Sequence, residues 1–497
     1  MSPVSMKILR RVIALFFLLS ALFLFIGPVQ DISVQLVRSL TWFQFIPSFL
    51  NLTTWLSLWA SGFFLVIIVT LACGRVYCSF ICPLGILQDI FIRLSTRITE
   101  RVNTYKRPLY AVSFSLLIIT ILPLFFRNIF FLNLFDPFGL SGKIFAGPRG
   151  AIGLSLAILS FFIVLSILKN RWYCDVICPV GIFLGLISRV SVFRLRINGS
   201  LCKLCGTCET VCKSNCIDHQ NHRIDFDRCV GCMNCLGSCP EKAVKYRLGR
   251  KKEFIAAAID GIDRDTGPGT LLQDRQHGIE RERSNEQKTG LTRRIFLKTA
   301  AGSALTLAGF AYLPALASGA PVDTGSCPVM PPGALSLSHF TEKCTACHLC
   351  ISNCPTRVLQ TSFFEYGFSG LFQPKMDFNI GFCRYDCSRC TEICPSGALQ
   401  HITPGEKQRI QIGLAVFQKN QCLVVAEHKN CAKCAEHCPT KAIELLPYLG
   451  NLFLPYVNSG FCNGCGACEH FCPVRPDRAI YVESNIYHTT TREHLKA

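Results

Sequence analysis

No histidine precedes His219 in the 497 residues. A membrane helix in the first two hundred residues therefore has no histidine pair with which to hold a b-type haem, and electrons crossing there need another carrier. Charge is also scarce, at 17% of residues, and acidic groups are the scarcer sign, 32 against 51 Lys and Arg. With half the chain hydrophobic, those figures exclude a disordered polypeptide. The apolar residues gather in the first 170 positions, which excludes one soluble globule. What the chain has in excess is cysteine, 31 residues of it, in a sequence far too long for a small disulfide scaffold. The net charge of +19 comes with no nucleic-acid recognition motif, and no nucleic-acid partner is expected.

Four charge-free apolar stretches, at about 12–29, 55–72, 108–126 and 150–168, approach the roughly 20 residues needed to cross a hydrocarbon core. No small-residue cleavage site follows the first, so it reads as a span and not a secretory signal. Lys and Arg fall fourteen to four in favour of the N-terminus, the loop at 74–107 and the segment at 169–201, which predicts that these face the cytoplasm. The aromatic segment at 31–54 contains Arg38 and Pro47 and reads as an interfacial helix and loop, with a fifth span as the alternative.

The apolar part contains a duplication. Arg75-Val-Tyr-Cys-Ser-Phe-Ile-Cys-Pro-Leu-Gly-Ile and Arg171-Trp-Tyr-Cys-Asp-Val-Ile-Cys-Pro-Val-Gly-Ile agree at eight of twelve positions, each just after an apolar stretch. Cys78, Cys82, Cys174 and Cys178 are thereby candidates to converge near a pseudo-twofold axis. Four thiolates there suit an iron–sulfur or other soft-metal centre, two dithiol couples, or inert packing.

From Cys202 the spacing becomes regular. Cys202, Cys205, Cys208 and Cys212 are followed by Cys229, Cys232, Cys235 and Cys239, the last before Pro240. This is the run of a two-cluster ferredoxin, in which three close cysteines hold one cubane and the fourth crosses to the other. The expected sets are Cys202, Cys205, Cys208 with Cys239, and Cys229, Cys232, Cys235 with Cys212; Cys216 is an alternative to Cys212 because Lys213 stands where proline is usual. Zinc is the bland alternative for Cys-x-x-Cys pairs.

Four more runs occupy the C-terminal third: Cys344, Cys347, Cys350, Cys354; Cys383, Cys387, Cys390, Cys394; Cys422, Cys431, Cys434, Cys438; and Cys462, Cys465, Cys468, Cys472. Each ends in Cys-Pro, and their starts lie 39, 39 and 40 residues apart, so they are repeated modules. The expectation is six [4Fe-4S] clusters on 24 cysteines, leaving the four repeat cysteines with Cys73, Cys216 and Cys327. Adjacent runs can exchange fourth ligands, or the outer pair can enclose the inner. The stretched inner runs resemble the four-cluster subunits that serve molybdenum reductases, which favours nesting.

Residues 247–291 are polar and read as a linker. Thr292-Arg-Arg-Ile-Phe-Leu-Lys, a mild apolar run and Ala315-Leu-Ala look like a twin-arginine export signal or, uncleaved, an anchor helix over 292–320. Such export would carry a domain already loaded with clusters out of the reducing cytoplasm.

Residues 1–246 resemble the NapH-type polytopic membrane ferredoxins (the NosR/NapH/CcoG-like family), through the two Cys-x-x-x-Cys-Pro motifs, Asp136-Pro-Phe and the two-cluster run. Residues 292–485 resemble the NapG-type exported four-cluster ferredoxins, through the twin arginines, Pro331-Pro-Gly-Ala-Leu and Cys472-Pro-Val-Arg-Pro. The resemblance implies quinol dehydrogenase iron–sulfur subunits that pass electrons from the membrane quinol pool to a periplasmic reductase or cytochrome, with the twin-arginine export machinery as a further partner. The alternative is a redox maturation or sensing factor using the repeat cysteines as dithiols. The expected fold is an all-α membrane domain of four helices (1–201), α+β ferredoxin-like [4Fe-4S] modules in the cytoplasm (202–246) and an exported four-cluster domain (321–497). Of the net charge, residues 1–201 carry +13, 202–298 carry +5 and the remainder +1, so the excess reflects orientation.

Overall fold

The computed structural model describes residues 3–26, 33–52, 61–99, 103–106, 109–125, 128–147, 151–248 and 327–491. Most of the predicted linker and all of the twin-arginine segment at 292–320 lie outside the described residues. The first part is helical: α1 (Pro3–Ile26), α2 (Val34–Trp42), α3 (Phe45–Leu52), α4 (Ser61–Cys73), α5 (Tyr77–Phe80), α6 (Pro83–Thr99), α7 (Tyr110–Phe125), α8 (Phe130–Phe135), α9 (Pro137–Phe145), α10 (Ile152–Lys169), a π-helical turn at Tyr173–Ile177, and α11 (Pro179–Ser188). Helices α6, α9 and α11 each open on a proline, whose fixed φ suits the first helical position and whose missing N–H costs nothing there. Asp136 caps α9 by accepting from Phe138 N at 3.2 Å and Gly139 N at 2.8 Å.

Two helices, Ser5–Ile26 and Ile152–Lys169, are long and apolar enough to cross a membrane. The stretches predicted at 55–72 and 108–126 come out shorter among the described residues. Ser61–Cys73 rises ~20 Å and Tyr110–Phe125 ~24 Å, against a hydrocarbon core of about 30 Å. All four helices nonetheless turn large apolar side chains outward: Phe16, Phe23, Ile68, Ile118 and Phe161 are 44–61% exposed. The predicted interfacial segment is the pair of short helices α2 and α3.

The remainder is small antiparallel pairs and short helices. Strand β1 (Phe193–Ile197) pairs with β4 (Val244–Leu248), Phe193 opposite Leu248, and encloses the hairpin β2 (Ile217–Asp218)–β3 (Arg223–Ile224). After residue 327 come hairpin β5 (Leu359–Thr361)–β6 (Pro374–Met376) and hairpin β8 (Ile443–Pro447)–β9 (Phe453–Val457). The long strand β7 (Ile410–Phe417) pairs with the last strand, β10 (Ile480–Thr490).

Helix α1 reaches both cysteine-rich units. Near its start, Lys7 lies over Gly237 of the first unit; near its end, Leu24 O accepts from Asn353 Nδ2 of the second at 3.1 Å. Seventeen residues of helix separate these contacts, about 26 Å.

Candidate metal centres

The duplicated motif folds back on itself. Cys78, Cys82, Cys174 and Cys178 are each 3–5% exposed and belong to one core with Leu84, Phe162 and Leu184. Cys174 and Cys178 both have Cys78 and Cys82 as charge neighbours. Each Cys-Pro pair starts a helix, so its sulfur meets helix N-terminal amides. Gly181 N donates to Cys178 Sγ at 3.4 Å, and Gly85 N donates to Cys82 in the same way.

The first residue of each repeat serves the other repeat. Arg75 donates to Cys174 O at 2.9 Å, and Arg171 donates to Cys78 O at 3.2 Å and Gly85 O at 3.0 Å. A Cβ at Gly85 or Gly181 would collide with the carbonyl of Cys78 or Cys174, so glycine is what lets the motifs close up. Both guanidinium groups are at most 1% exposed. Arg75 pairs with Asp175 at 3.1 Å, and Arg171 with Asp89 at 2.8 Å. Two buried cations thus stand beside the four thiols. Gln88 Oε1 accepts from Cys174 Sγ at 3.0 Å, while its buried Nε2 has no partner. Reversing the amide would turn that donor toward a thiolate.

These arginines, Asp89 and Gln88 are the site residues that reading by cysteine spacing missed. The duplication held the signal, since both copies begin with arginine.

In the first unit Cys208 neighbours Cys202 and Cys239, whereas Cys235 neighbours Cys232, Cys229 and Cys212. Cys212, Cys216, Cys229, Cys232 and Cys235 line one cavity of about 20 Å³. Cys216 serves Cys212: the sulfurs lie 3.5 Å apart, and Cys216 N points at Cys212 Sγ at 3.4 Å. That contact with Cys216 draws the Cys212 thiol down to about 7, despite burial.

In the second unit adjacent runs interleave. Cys354 joins Cys383, Cys387 and Cys390 around a cavity of about 20 Å³; Cys472 joins Cys422, Cys431 and Cys434 around another of about 20 Å³. Reciprocally, Cys394 neighbours Cys344, Cys347 and Cys350, and Cys438 neighbours Cys462, Cys465 and Cys468. The nested arrangement expected from the stretched inner runs is thus corrected. The hairpins decide it, because β5–β6 and β8–β9 turn the chain back between runs one and two and between runs three and four. Cys383 N donates to Cys465 O at 2.9 Å, which joins the two halves. Among the described residues no group of three or more His, Cys, Asp or Glu side chains closes on a single metal ion. The cysteine sets instead gather around shared small cavities.

Both units dock on the helical part beside the repeat. In the first, Val230 O accepts from Ser79 Oγ at 2.7 Å and Asp227 O accepts from Arg75 at 2.8 Å, and Cys232 packs against the four-cysteine core. The second sits on α9, where Gly142 and Gly139 lie against the carbonyls of Cys347 and Thr345, and Lys143 Nζ stands 5.0 Å over the Phe372 ring. Burial lowers Lys143 to about 8.

Models of a 4Fe-4S binding domain match residues 55–101, 151–198 and 222–245, and that of a 4Fe-4S dicluster domain matches residues 429–475. The chain carries 4Fe-4S domains. Its homologues are ferredoxin-type iron–sulfur proteins of electron transfer. The ferredoxin-type protein NapF of Escherichia coli K12 is 29% identical over 159 residues, 32% of this chain and 87% of NapF. The methylamine utilization ferredoxin-type protein MauM of Methylobacillus flagellatus is 33% identical over 159 residues, 31% of this chain and 66% of that protein. MauM of Paracoccus denitrificans is 29% identical over 180 residues, 33% of this chain and 75% of its own length. No solved structure matches the chain at a significant level. The matches at 55–101 and 151–198 contain the two repeats, so each copy of Cys-x-x-x-Cys-Pro falls within a 4Fe-4S domain match.

Proposed function

We propose that the chain is a membrane-bound quinol dehydrogenase module, joining a NapH-like part to a NapG-like part, that relays electrons from the quinol pool to an extracytoplasmic reductase or cytochrome. The observation that carries this reading is the placement of the four repeat cysteines in one core, with a ferredoxin unit docked on each side. The contacts of α1 with the two units, about 26 Å apart, support their lying on opposite faces of a bilayer of similar thickness. The outward apolar side chains of α1, α4, α7 and α10 support four membrane helices. Export of residues 321–497 through the twin arginines rests on the sequence.

Six [4Fe-4S] clusters are assigned to the 24 run cysteines in the sets described above, with Cys212 as ligand and Cys216 as its hydrogen-bond donor. A seventh centre is assigned to Cys78, Cys82, Cys174 and Cys178. The residues fit such a group: four buried sulfurs, amide donors at Gly85 and Gly181, two buried arginines and the unpartnered Gln88 Nε2. Bound clusters supply one-electron transfer at potentials that burial and hydrogen bonding tune. The chain's own residues hold the sulfurs, keep water out and balance charge.

The test uses membranes carrying wild type or Cys78→Ser, given a quinol analogue, with EPR read on all clusters. Wild type should reduce the clusters of both units. Cys78→Ser should leave those of residues 321–497 oxidised. Equal reduction in both overturns the bridging role, and a reversible disulfide at the repeat cysteines in place of iron would favour a dithiol maturation factor.

A further inference from the structure

Lys143 of α9 is 1% exposed, the most deeply buried of the described lysines. Its Nζ donates to Asn133 O at 2.8 Å and stands 5.0 Å over the Phe372 ring, and both of these partners are neutral. Among the described residues no carboxylate forms an ion pair with it. Asp136, buried at the head of the same helix, is a charge neighbour, but its two oxygens are held by Phe138 N and Gly139 N. A dry ammonium with one carbonyl for a partner is costly, so a further negative group belongs beside it.

That group can come from the second cysteine-rich unit. Cys344 and Cys347 are the other charge neighbours of Lys143. Helix α9 lies directly on the loop that carries them, since a Cβ at Gly142 would collide with Cys347 O and one at Gly139 would stand 3.1 Å from Thr345 O. The segment under the ammonium is tied to the same loop: Phe372 O accepts from His348 Nε2 at 2.8 Å, and Gln373 Nε2 donates to Cys344 O at 3.1 Å. The four cysteines here fit a cluster. Cys344, Cys347 and Cys394 all neighbour Cys350. Ala346 N and Leu349 N donate to Cys344 and Cys347, and Leu399 N donates to Cys394 Sγ at 3.4 Å. A cluster ligated by thiolates is anionic and becomes more so when reduced. A fixed cation beside it therefore favours the reduced form, net charge being one of the terms that set such a potential.

We propose that Lys143 is a redox-tuning cation: α9 places it against the cluster of Cys344, Cys347, Cys350 and Cys394, and it raises the reduction potential of that cluster above what its own unit would give. The proposal deepens the relay reading above and rests on its cluster assignment. Lys143 touches no reacting atom, and its role is to position charge. Because that charge belongs to the helical part, the potential is a property of the docked molecule.

The full chain in detergent is titrated with dithionite and redox mediators, with EPR read at each potential; the signal lost in Cys394→Ser identifies the cluster. Lys143→Met should lower the ratio of reduced to oxidised cluster at a fixed potential roughly tenfold, a fall in midpoint of about 59 mV for a one-electron couple. Lys143→Arg, which keeps the charge, should stay within threefold of wild type, and the other clusters should not move. Lys143→Gln, whose amide can still donate to Asn133 O, covers the case in which Lys143→Met fails to fold. An unchanged midpoint in a folded neutral variant with iron content kept overturns the proposal. So does an equal fall in Lys143→Arg, which would make the effect one of packing, or an equal fall at every cluster. The two readings fail separately, because mediators need no quinol. A shifted midpoint with no reduction of any cluster by quinol sinks the quinol function alone, whereas reduction by quinol with no shift in Lys143→Met sinks this tuning role alone.

Discussion

Asp89 is the residue whose loss should be felt furthest from its own position. From α6 it meets Arg171 of the second repeat at 2.8 Å, Arg10 of α1 at 3.1 Å and Lys213 of the first cysteine-rich unit at 3.2 Å. Its side chain is 8% exposed and those of its partners 0%, 9% and 12%. Burial by itself would raise the Asp89 carboxyl, but Arg171, Lys213 and Arg10 together hold it well below the usual carboxylate range. Asp89→Asn leaves three nearly dry cations facing a neutral amide. Removing one partner of a buried pair costs roughly 3–5 kcal/mol, an increase of about two to four orders of magnitude in the opened population. The chain is multidomain and its unfolding need not be two-state, so the assay is local. Limited proteolysis of detergent-solubilised protein would follow cleavage between α11 and β1, together with iron retained by the Cys202–Cys239 unit. Asp89→Asn should be cleaved at least a hundredfold faster, and Asp89→Glu should recover part of the loss. Because the folded carboxyl is depressed, its contribution is complete above the unfolded value of about 3.9 and is lost only as pH falls through the lower folded value. Wild-type cleavage owed to this group should therefore stay flat from about pH 7 to 5. A cleavage rate in Asp89→Asn within tenfold of wild type would refute the reasoning.

Three other outcomes follow from the geometry. Cys394→Ser should remove the cluster shared with Cys344, Cys347 and Cys350 and leave the one at Cys383, Cys387 and Cys390, while Cys354→Ser does the reverse; EPR of each variant distinguishes this from nested exchange. Gly142→Val drives a side chain into the Cys347 carbonyl, and overpacking of this kind costs about 1–3 kcal/mol. It should slow reduction of the second unit by quinol while reduction of the first continues, as read by stopped-flow absorbance. Iron and acid-labile sulfide per chain should approach ~28, the value for seven cubanes, and fall to about 24 when all four repeat cysteines are serine.

The sequence alone settled whatever depends on neighbours along the chain. Cysteines with two or three residues between them are presented by one tight loop, so the 4Fe-4S domains matched at 222–245 and 429–475 were legible as cysteine runs before any coordinates. The duplication was visible as matching text, and much of the helices at 3–26 and 152–169 as the apolar runs at about 12–29 and 150–168.

Only the tertiary structure decided what depends on distant segments meeting. Cys354 belongs with run two and Cys472 with run three because the β5–β6 and β8–β9 hairpins return the chain, and strand pairing of that kind leaves no mark in cysteine spacing. Arg75 and Arg171 looked like ordinary basic residues at helix exits; folded, each reaches the other copy's cysteine backbone. Asp89, alone in its segment, gives no sign that it gathers cations from three places. Hydrogen bonds and ion pairs are set by distance through space, and for these residues that distance was created by the fold.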